Sequence, residues 1–328
     1  MKIGKVPEAV LKRSVLKQVN TKREEIVVGA GVGEDCAAVA LHEDEVFVLS
    51  TDPITGTTKD MGELAVHITA NDLASAGAEV VGMMLSILLP ADAEEADLKA
   101  MMGQISSACD KLNIQIMGGH TEVTTAVNQP VITITGVGKV KKGKLVTTGG
   151  AKPGHDVVVS KWIGLEGTSI IAKEKEEELK KKLPAELIET AKGFDAYISV
   201  VPDGKAAVSA GVSAMHDVTE GGIFGALWEL AEASGVGLTI DLMKIPIRQE
   251  TIEVCECFDI NPYELISSGC MLMTAENGLD LVNSLKEQGI FASVIGKVTA
   301  GNDRVLMNGE EKRFLEPPKT DELYKIFE

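Results

Sequence analysis

The chain has 328 residues, of which 45% are hydrophobic and 25% charged, and its formal net charge at pH 7 is −17. That length favours two domains, and the composition is that of a globular protein. The negative charge argues against a nucleic-acid partner, because phosphate backbones are bound by clustered lysines and arginines, and it also disfavours an anionic membrane surface. It does not exclude a nucleotide, since a divalent cation reverses the local sign of an acidic site.

The sequence predicts neither a membrane span nor a secretory signal. No apolar run approaches the roughly 18 residues that a membrane helix needs. The first residues, MKIGKVPEAVLKRSV, lack the apolar core of a signal peptide. The chain has 5 cysteines, an odd number scattered along its length, which suggests reduced thiols. We therefore expect a cytoplasmic protein.

Strand-like and helix-like segments alternate through the first half of the chain. Strands are predicted at 45–52, 81–90 and 130–140, a short strand at the start of 114–123, and helices at 62–78 and 93–113. In the segment IQIMGGHTEV, the Gly-Gly pair is expected to end the strand in a turn. The segment 141–154, rich in lysine and glycine, then marks a boundary, so we predict two domains, 1–148 and 149–328.

The second half repeats this alternation. Strands are predicted at 155–160, 236–241, 291–298 and 304–308, helices at 173–183 and 221–235, and a strand followed by a helix within 267–289. The charge run KEKEEELKKKL is expected to be the solvated face of a helix. The whole pattern predicts an α/β or α+β fold in each of the two domains.

Two glycine-rich segments resemble phosphate-binding loops but lack a required residue. In GAGVGEDCAAV at 29–39, Glu34 stands where the dinucleotide motif needs its third glycine, and too few residues follow for a crossover helix. After GKVKKGK at 138–144, the next residue is Leu145, where a phosphate loop needs a serine or threonine for Mg²⁺. We therefore reject both motifs.

A set of aspartates is the more informative pattern. Asp35 lies in a loop, Asp52 ends a strand, Asp72 follows Asn71 within an alanine-rich helix, and Asp217 precedes a predicted helix. Three of these aspartates can be explained as turn residues or a helix cap, but a buried charge at Asp72 needs a partner. Mg²⁺ would satisfy all four, because it prefers carboxylates together with phosphate oxygens and water.

Seven stretches of the chain form a set that spans nearly its whole length. They are GVGEDCAAV, STDPITG, ITANDLASAGAEVVGMMLSILLP, IMGGHTEV, GAKPGHDVVVSKWIGLEGTSIIA, MHDVTEGGIFGALWELAEASGVGLTI and SSGCMLMT. The combination resembles the AIR-synthase-like ATPases, which include aminoimidazole ribonucleotide synthetase, the hydrogenase maturation protein HypE, selenophosphate synthetase and thiamine-monophosphate kinase. Within that superfamily the sequence looks most similar to HypE-like proteins.

The resemblance implies a fold and a site. The first domain would be a four-stranded sheet with helices that pairs with a second copy in a homodimer, and the second would be an α/β layered domain. Mg²⁺ and phosphate would be held by Asp35, Asp52, Asp72 and Asp217. ATP would be lined by Asn71, Gly118, Gly119, Thr121 and Glu122. The catalytic set would be Asp72, His120, Asp217 and Lys5.

His120 and Lys5 rest on weaker parts of the resemblance. Some branches carry an acid at the position of His120, whereas selenophosphate synthetases carry GGHT, as this chain does. The imidazole could bind phosphate or base, or it could simply cap the Gly-Gly turn. Lys5, in IGKVP, occupies the place of a lysine in the N-terminal segment of the family.

The resemblance also implies a reaction, in which Mg-ATP phosphorylates an amide- or carbonyl-type oxygen. Positioning and charge neutralisation supply most of such catalysis. Relatives that form a protein-bound thiocyanate do so on a C-terminal cysteine, whereas this sequence ends TDELYKIFE. We therefore expect a separate substrate, either a small molecule or a protein, and the sequence does not say whether that substrate belongs to hydrogenase maturation.

Two alternative functions stay open at this point. The first is another small-molecule enzyme of the superfamily, a kinase of the thiamine-monophosphate type or a cyclo-ligase of the aminoimidazole ribonucleotide synthetase type. The second is a non-catalytic sensor dimer that keeps the fold and binds nucleotide. Release of ADP that rises with a defined metabolite would favour an enzyme, and tight ATP binding without turnover would favour the sensor.

Overall fold

The computed structural model describes residues 4–5, 10–30, 38–54, 60–317 and 320–327. The chain divides into two compact units, the first formed by residues 1–73 and 78–145 and the second by residues 74–77 and 146–328. Each unit contains a β-sheet and helices, which confirms the predicted mixed α/β class. Within the described ranges, no helix is both long and apolar enough to cross a bilayer.

The first unit is built on an extended sheet. Its strands are β1 (Gly4–Lys5), β2 (Ile26–Val28), β3 (Ala38–Val39), β4 (Glu45–Ile54), β5 (Glu79–Leu89), β6 (Gln115–Val123) and β7 (Val131–Lys141). The main sheet has the order β1-β6-β5-β7-β4, and β2 pairs with β3 separately. The four long strands are the four that the sequence predicts, and the two-residue β1 adds a fifth strand at the edge beside β6.

Two long helices accompany this sheet, α1 (Met61–Ser75) and α2 (Glu95–Leu112). Strands β5 and β6 run parallel, so the chain must cross over between them, and α2 is that crossover. At the start of α2 the Glu94 N–H donates to the Asp97 carboxylate at 2.8 Å. The helix ends at Asn113, whose φ of 56° is left-handed, as asparagine tolerates at a helix end.

The two faces of the first sheet differ in exposure. Along β7 the side chains alternate between buried residues and half-buried ones, as expected for a strand with one covered face. On β4 the residues of the uncovered face include Phe47 and Leu49, whose exposed fractions are 45% and 63%. We call the side that carries these two residues the open face, and the opposite side the helix-covered face.

The Gly-Gly pair in IQIMGGHTEV does not form the predicted turn, and that expectation is wrong. Gly118 and Gly119 lie inside β6, which continues through them to Val123. A register shift in the pairing of β5 with β6 occurs at this point. Gly119 has a φ of 146°, and a Cβ added there would lie 1.9 Å from the backbone oxygen of Leu85. The glycines therefore accommodate an irregularity of the strand that only glycine tolerates.

The second unit contains a seven-stranded sheet. Its strands are β8 (Asp156–Ser160), β9 (Ala214–Asp217), β10 (Gly237–Asp241), β11 (Met271–Ala275), β12 (Ala292–Thr299), β13 (Arg304–Asn308) and β14 (Glu311–Phe314). Their order is β14-β13-β10-β12-β8-β11-β9. Only β10 and β13 run parallel among the pairs of this sheet, and the other pairs are antiparallel.

Helices cover both faces of this second sheet. They are α3 (Leu165–Glu174), α4 (Glu176–Leu179), α5 (Ala185–Lys192), α6 (Val201–Ser209), α7 (Gly222–Ser234), α8 (Gln249–Phe258), α9 (Gly278–Glu287) and α10 (Tyr324–Phe327). On β8, Val157 and Val159 belong to a core cluster that includes residues of α7, whereas Val158 belongs to a cluster with residues of α6 and α9. The helix predicted at 173–183 is interrupted at Lys175, between α3 and α4.

Candidate functional site

Two of the predicted metal-binding aspartates lie close together in the first unit. Asp52 on β4 and Asp72 on α1 are both half-buried. The Ser50 hydroxyl donates a hydrogen bond to Asp72 Oδ2, and it lies 3.3 Å from Asp52 Oδ2. One hydroxyl group therefore connects the two carboxylates, and we call Ser50, Asp52 and Asp72 the carboxylate pair with its bridging serine.

The local structure explains why these side chains meet. Ser50 and Asp52 are two residues apart on β4, so both face the same side of the sheet. Ser50 pairs with Gly136 on β7. A Cβ on Gly136 would lie 2.7 Å from Thr69 and 2.8 Å from Leu73, both on α1. Because Gly136 has no side chain, α1 lies directly on the sheet at this point, and Asp72 reaches the strand.

The chemistry of this cluster suits a hard cation. Both carboxylates are acceptors, and their mutual repulsion increases as they leave water. A divalent ion that prefers oxygen ligands would relieve that repulsion, and Mg²⁺ usually takes one or two carboxylates together with phosphate oxygens and water. The donor set of Asp52 and Asp72 fits that preference.

The two other predicted metal ligands lie outside the described residues of the first unit. Asp35 lies outside the described residues. Asp217 ends β9 in the second unit and is 6% exposed, and the next N–H, that of Val218, donates to the Cys270 carbonyl at 3.0 Å. Among the residues that the structure describes, no group of three or more His, Cys, Asp or Glu could hold a metal ion.

A second polar pair lies on β6. His120 Nε2 is 3.1 Å from Glu122 Oε2, and the two side chains are 48% and 34% exposed. In register, His120 pairs with Ser86 on β5, and Glu122 pairs through the backbone with Lys5 on β1. Because residues i and i+2 of a strand share a face, the two side chains form a pair that we call the His120–Glu122 pair.

The sheet keeps the two polar groups apart within one copy of the chain. In register, Asp52 on β4 aligns with Ile134 on β7, Leu85 on β5 and Gly119 on β6. His120 is the next residue on β6; it pairs with Ser86 on β5 and its side chain lies on the open face. Strands β5 and β7 separate β6 from β4, so the groups are about 14 Å apart along the sheet. The first unit therefore brings Asp52 to Asp72 and His120 to Glu122, but it does not bring these two pairs together.

The remaining predicted ligand residues of the first unit are mostly covered. Asn71 is fully buried in α1, and Thr121, which is 7% exposed, faces the helix-covered side of β6. Gly118 is half-buried and Gly119 is exposed. The nucleotide roles predicted for these residues stay predictions.

The sequence motifs did not point to Ser50 or Gly136, nor to a buried acid in the second unit. The alternation of β4 would have placed Ser50 beside Asp52, but its bond to Asp72 depends on tertiary packing. Glu166, in the first turn of α3, is 3% exposed, and burial raises the pKa of its carboxyl to about 7. Its Oε2 atom has no hydrogen-bond partner among the described residues.

Comparison with known proteins decides the family. The model of the AIR synthase related N-terminal domain matches residues 33–140, and that of the C-terminal domain matches residues 152–308. The carbamoyl dehydratase HypE of Azotobacter vinelandii is 30% identical over 251 residues, which cover 75% of this chain and 71% of that protein. The chain belongs to the AIR synthase related family. The resemblance inferred from the sequence motifs is thus confirmed.

Other relatives and solved structures agree with this assignment. A protein of Methanocaldococcus jannaschii named for hydrogenase expression and formation is 28% identical over 317 residues, 93% of this chain and 91% of that protein. The crystal structure of Escherichia coli HypE has a TM-score of 0.82 at 21% identity and covers 98% of this chain and 100% of its own. A HypE structure in complex with ATP has a TM-score of 0.81 at 18% identity, with coverages of 98% and 97%.

A thiamine-monophosphate kinase also shares the fold. The crystal structure of thiamine-monophosphate kinase from Stenotrophomonas maltophilia has a TM-score of 0.75 at 19% identity and covers 94% of this chain and 98% of its own. The predicted AIR-synthase-like fold of two domains is therefore confirmed for this AIR synthase related protein.

Proposed function

We propose that this AIR synthase related protein is an ATP-dependent enzyme that phosphorylates an amide- or carbonyl-type oxygen of a separate substrate. The observation that carries the proposal is the pair of carboxylates, Asp52 and Asp72, joined through the Ser50 hydroxyl. Homology to carbamoyl dehydratase HypE proteins supports the reaction class. The ATP complex of one HypE structure supports the nucleotide.

In this proposal Asp52 and Asp72 hold Mg²⁺, with Asp35 and Asp217 as further candidate ligands. The ion would neutralise charge on the phosphate oxygens of ATP when it is bound, which is the main electrostatic need of phosphoryl transfer. The protein residues supply position: the sheet fixes Asp52, and α1 fixes Asp72. The acidic chain and its anionic ligand are compatible for the same reason.

In this proposal the residues of β6 contact the nucleotide and the substrate. Gly118 and Gly119 would let a nucleotide approach the strand backbone, with Asn71, Thr121 and Glu122 beside it. If Nε2 of His120 carries the proton in its hydrogen bond to Glu122, then Nδ1 is left as an acceptor for a proton of the substrate. Lys5, paired with Glu122 through the backbone, and Asp217 complete the proposed set.

A homodimer is part of the proposal. Phe47 and Leu49 are exposed on the open face of the first sheet, and exposed apolar side chains that share a sheet face mark an interaction surface. The carboxylate pair and the His120–Glu122 pair are also separated within one copy. A second copy packed against the open face would bury the apolar residues and place further groups beside the His120–Glu122 pair.

One alternative activity has a specific observation in its favour. The fold similarity to thiamine-monophosphate kinase supports a small-molecule kinase, in which the acceptor is a phosphate or hydroxyl oxygen and the phosphorylated product is released. An enzyme of the proposed type would instead release ADP and inorganic phosphate together. Phosphate analysis of the products separates the two, because only the kinase leaves the transferred phosphoryl group on its product.

The experiment that tests the proposal is calorimetric titration with a non-hydrolysable ATP analogue, with and without Mg²⁺. We expect saturable binding that requires Mg²⁺ in the wild-type protein. In Asp72→Asn we expect affinity to fall about tenfold or more, because one ligand charge is lost, while circular dichroism stays that of the folded protein. Binding that is equal in the variant would remove Asp72 from the metal site, and absence of binding in wild type would contradict the proposed function.

A further inference from the structure

The hydroxyl of Ser50 lies close to two carboxylates. A serine hydroxyl carries one proton, so it can donate to only one carboxylate at a time. The Ser50 hydroxyl is nevertheless within hydrogen-bond distance of both Asp52 and Asp72, and Asp72 is 22 residues away in the sequence. Two like charges that share a half-buried location repel each other, and this hydroxyl lies within hydrogen-bond distance of both carboxylates.

The strand and the helix that carry the two carboxylates are held in place by pairing and packing. Ser50 and Asp52 are fixed by continuous pairing of β4 with β7. Leu73, next to Asp72, is 0% exposed and would contact any side chain placed on Gly136. Because strand and helix are both anchored by packing, the direction of each carboxylate depends on its side-chain torsions, which the hydrogen bond to Ser50 restricts.

We propose that Ser50 is a positioning residue that sets the separation of the Asp52 and Asp72 carboxylates and thereby the preference of this site for a small divalent cation. This inference rests on the proposed Mg-ATP function. Mg²⁺ demands near-ideal geometry at a metal–oxygen distance of about 2.1 Å, whereas Ca²⁺ accepts looser sites at about 2.4 Å. Carboxylates drawn together by one hydroxyl favour the smaller ion, and carboxylates released from it accept the larger one.

Three variants test the role of the hydroxyl. Ser50→Ala removes it, Ser50→Thr keeps it on a residue that suits a strand, and Thr51→Ala is the matched control. Thr51 is the next residue on β4, and its hydroxyl bonds Thr135 at 2.9 Å on the opposite face. Calorimetric titration of the ATP analogue at increasing Mg²⁺ or Ca²⁺ gives the cation concentration needed for half-maximal binding.

We expect Ser50→Ala to need about ten times more Mg²⁺ than wild type, as loss of a supporting hydrogen bond to a ligand does, with little change for Ca²⁺. Ser50→Thr and Thr51→Ala should stay within about twofold of wild type, well inside that tenfold effect. A purely structural serine would instead lower the melting temperature equally with and without Mg²⁺, and leave the ratio of the two cation requirements unchanged.

The outcomes separate this inference from the proposed function. If wild type binds the analogue only with Mg²⁺ and Ser50→Ala keeps the same Mg²⁺ requirement, the positioning role is wrong while the proposed function stands. If wild type binds no analogue under any condition, the proposed function itself fails. If Ser50→Ala does not fold, Ser50→Thr and Ser50→Cys decide, because a thiol is a poor hydrogen-bond donor and should behave as alanine does.

Discussion

Single residues decide how the first sheet is built around its polar groups. Gly136 admits α1 to the sheet, and Gly119 allows β6 to pass close to β5. In both places a Cβ atom would lie under 3 Å from its neighbours. The difference lies in the backbone: Gly136 is required for space alone, whereas Gly119 is required for space and for its positive φ.

The residue-scale prediction concerns Gly119→Ala. The new methyl group would clash with the Leu85 carbonyl, and the φ of 146° would be strained, so we expect a loss of more than about 2 kcal/mol of stability. Hydrogen–deuterium exchange measures this loss of stability as faster exchange of the backbone amides of β5 and β6. The matched control is Gly118→Ala, where the nearest atom to the new Cβ is Met84 Cε at 3.9 Å; similar exchange in the two variants would contradict the prediction.

At the scale of elements, strand alternation explains the core of the second unit. On β11, Leu272 belongs to one core cluster, and Met271 and Met273 belong to the other. The same division occurs on β8. A strand that is apolar at every position is therefore buried on both faces, and runs such as DVVVS in the sequence already indicate it.

The element-scale prediction concerns the first turn of α3. Burial raises the pKa of Glu166 to about 7 from an ordinary value of 4.5. The folded protein thus binds this proton more tightly than the unfolded chain does. As pH rises from about 4.5 to about 7, the unfolding free energy should fall, by as much as about 3 kcal/mol, and above that range this contribution is constant.

Fluorescence measures this effect in the second unit alone, because both tryptophans, Trp162 and Trp228, lie there. We expect urea unfolding of wild type to show this loss of up to about 3 kcal/mol between about pH 4.5 and about pH 7, and a flatter profile in Glu166→Gln. Glu186→Gln, at an exposed position on α5, is the control and should keep the wild-type slope. An unchanged slope in Glu166→Gln would show that another group titrates.

Most of the elements could be predicted from the sequence, and the failures have physical causes. The strands at β4 and β5 follow from runs of apolar residues, many of them β-branched or aromatic, and β7 follows from alternation. The Gly-Gly pair was expected to form a turn, because paired glycines are a common turn signal. Its strand conformation depends on the approach of Leu85, which is distant in the sequence. Likewise Asp52 and Asp72 were predicted together as ligands, whereas the bridging role of Ser50 required the packing of α1 on the sheet.

At the scale of the whole molecule, the open face of the first sheet is the feature that bears most on the oligomeric state. Leu49 is 63% exposed there and Phe47 is 45% exposed. We expect a homodimer at micromolar concentration by sedimentation, and a monomer for Leu49→Glu, because a charge would be buried without a partner at the interface.

The control for the homodimer uses a residue of the second unit. Leu279 on α9 is 67% exposed, so Leu279→Glu places the same charge at an equally exposed position and should remain dimeric. A monomeric wild type would contradict the dimer, and dimeric Leu49→Glu would move the interface away from the open face.

The sequence by itself determined the family, the alternation of strands and helices, and the aspartates at Asp52 and Asp72, because these depend on residue identity and on local periodicity. Tertiary structure decided which side chains meet. The carboxylates converge because Gly136 lets α1 approach β4, and His120 lies apart from them because strand order and register place it on the open face of another strand. Contacts between distant segments depend on packing distances, which local sequence does not encode.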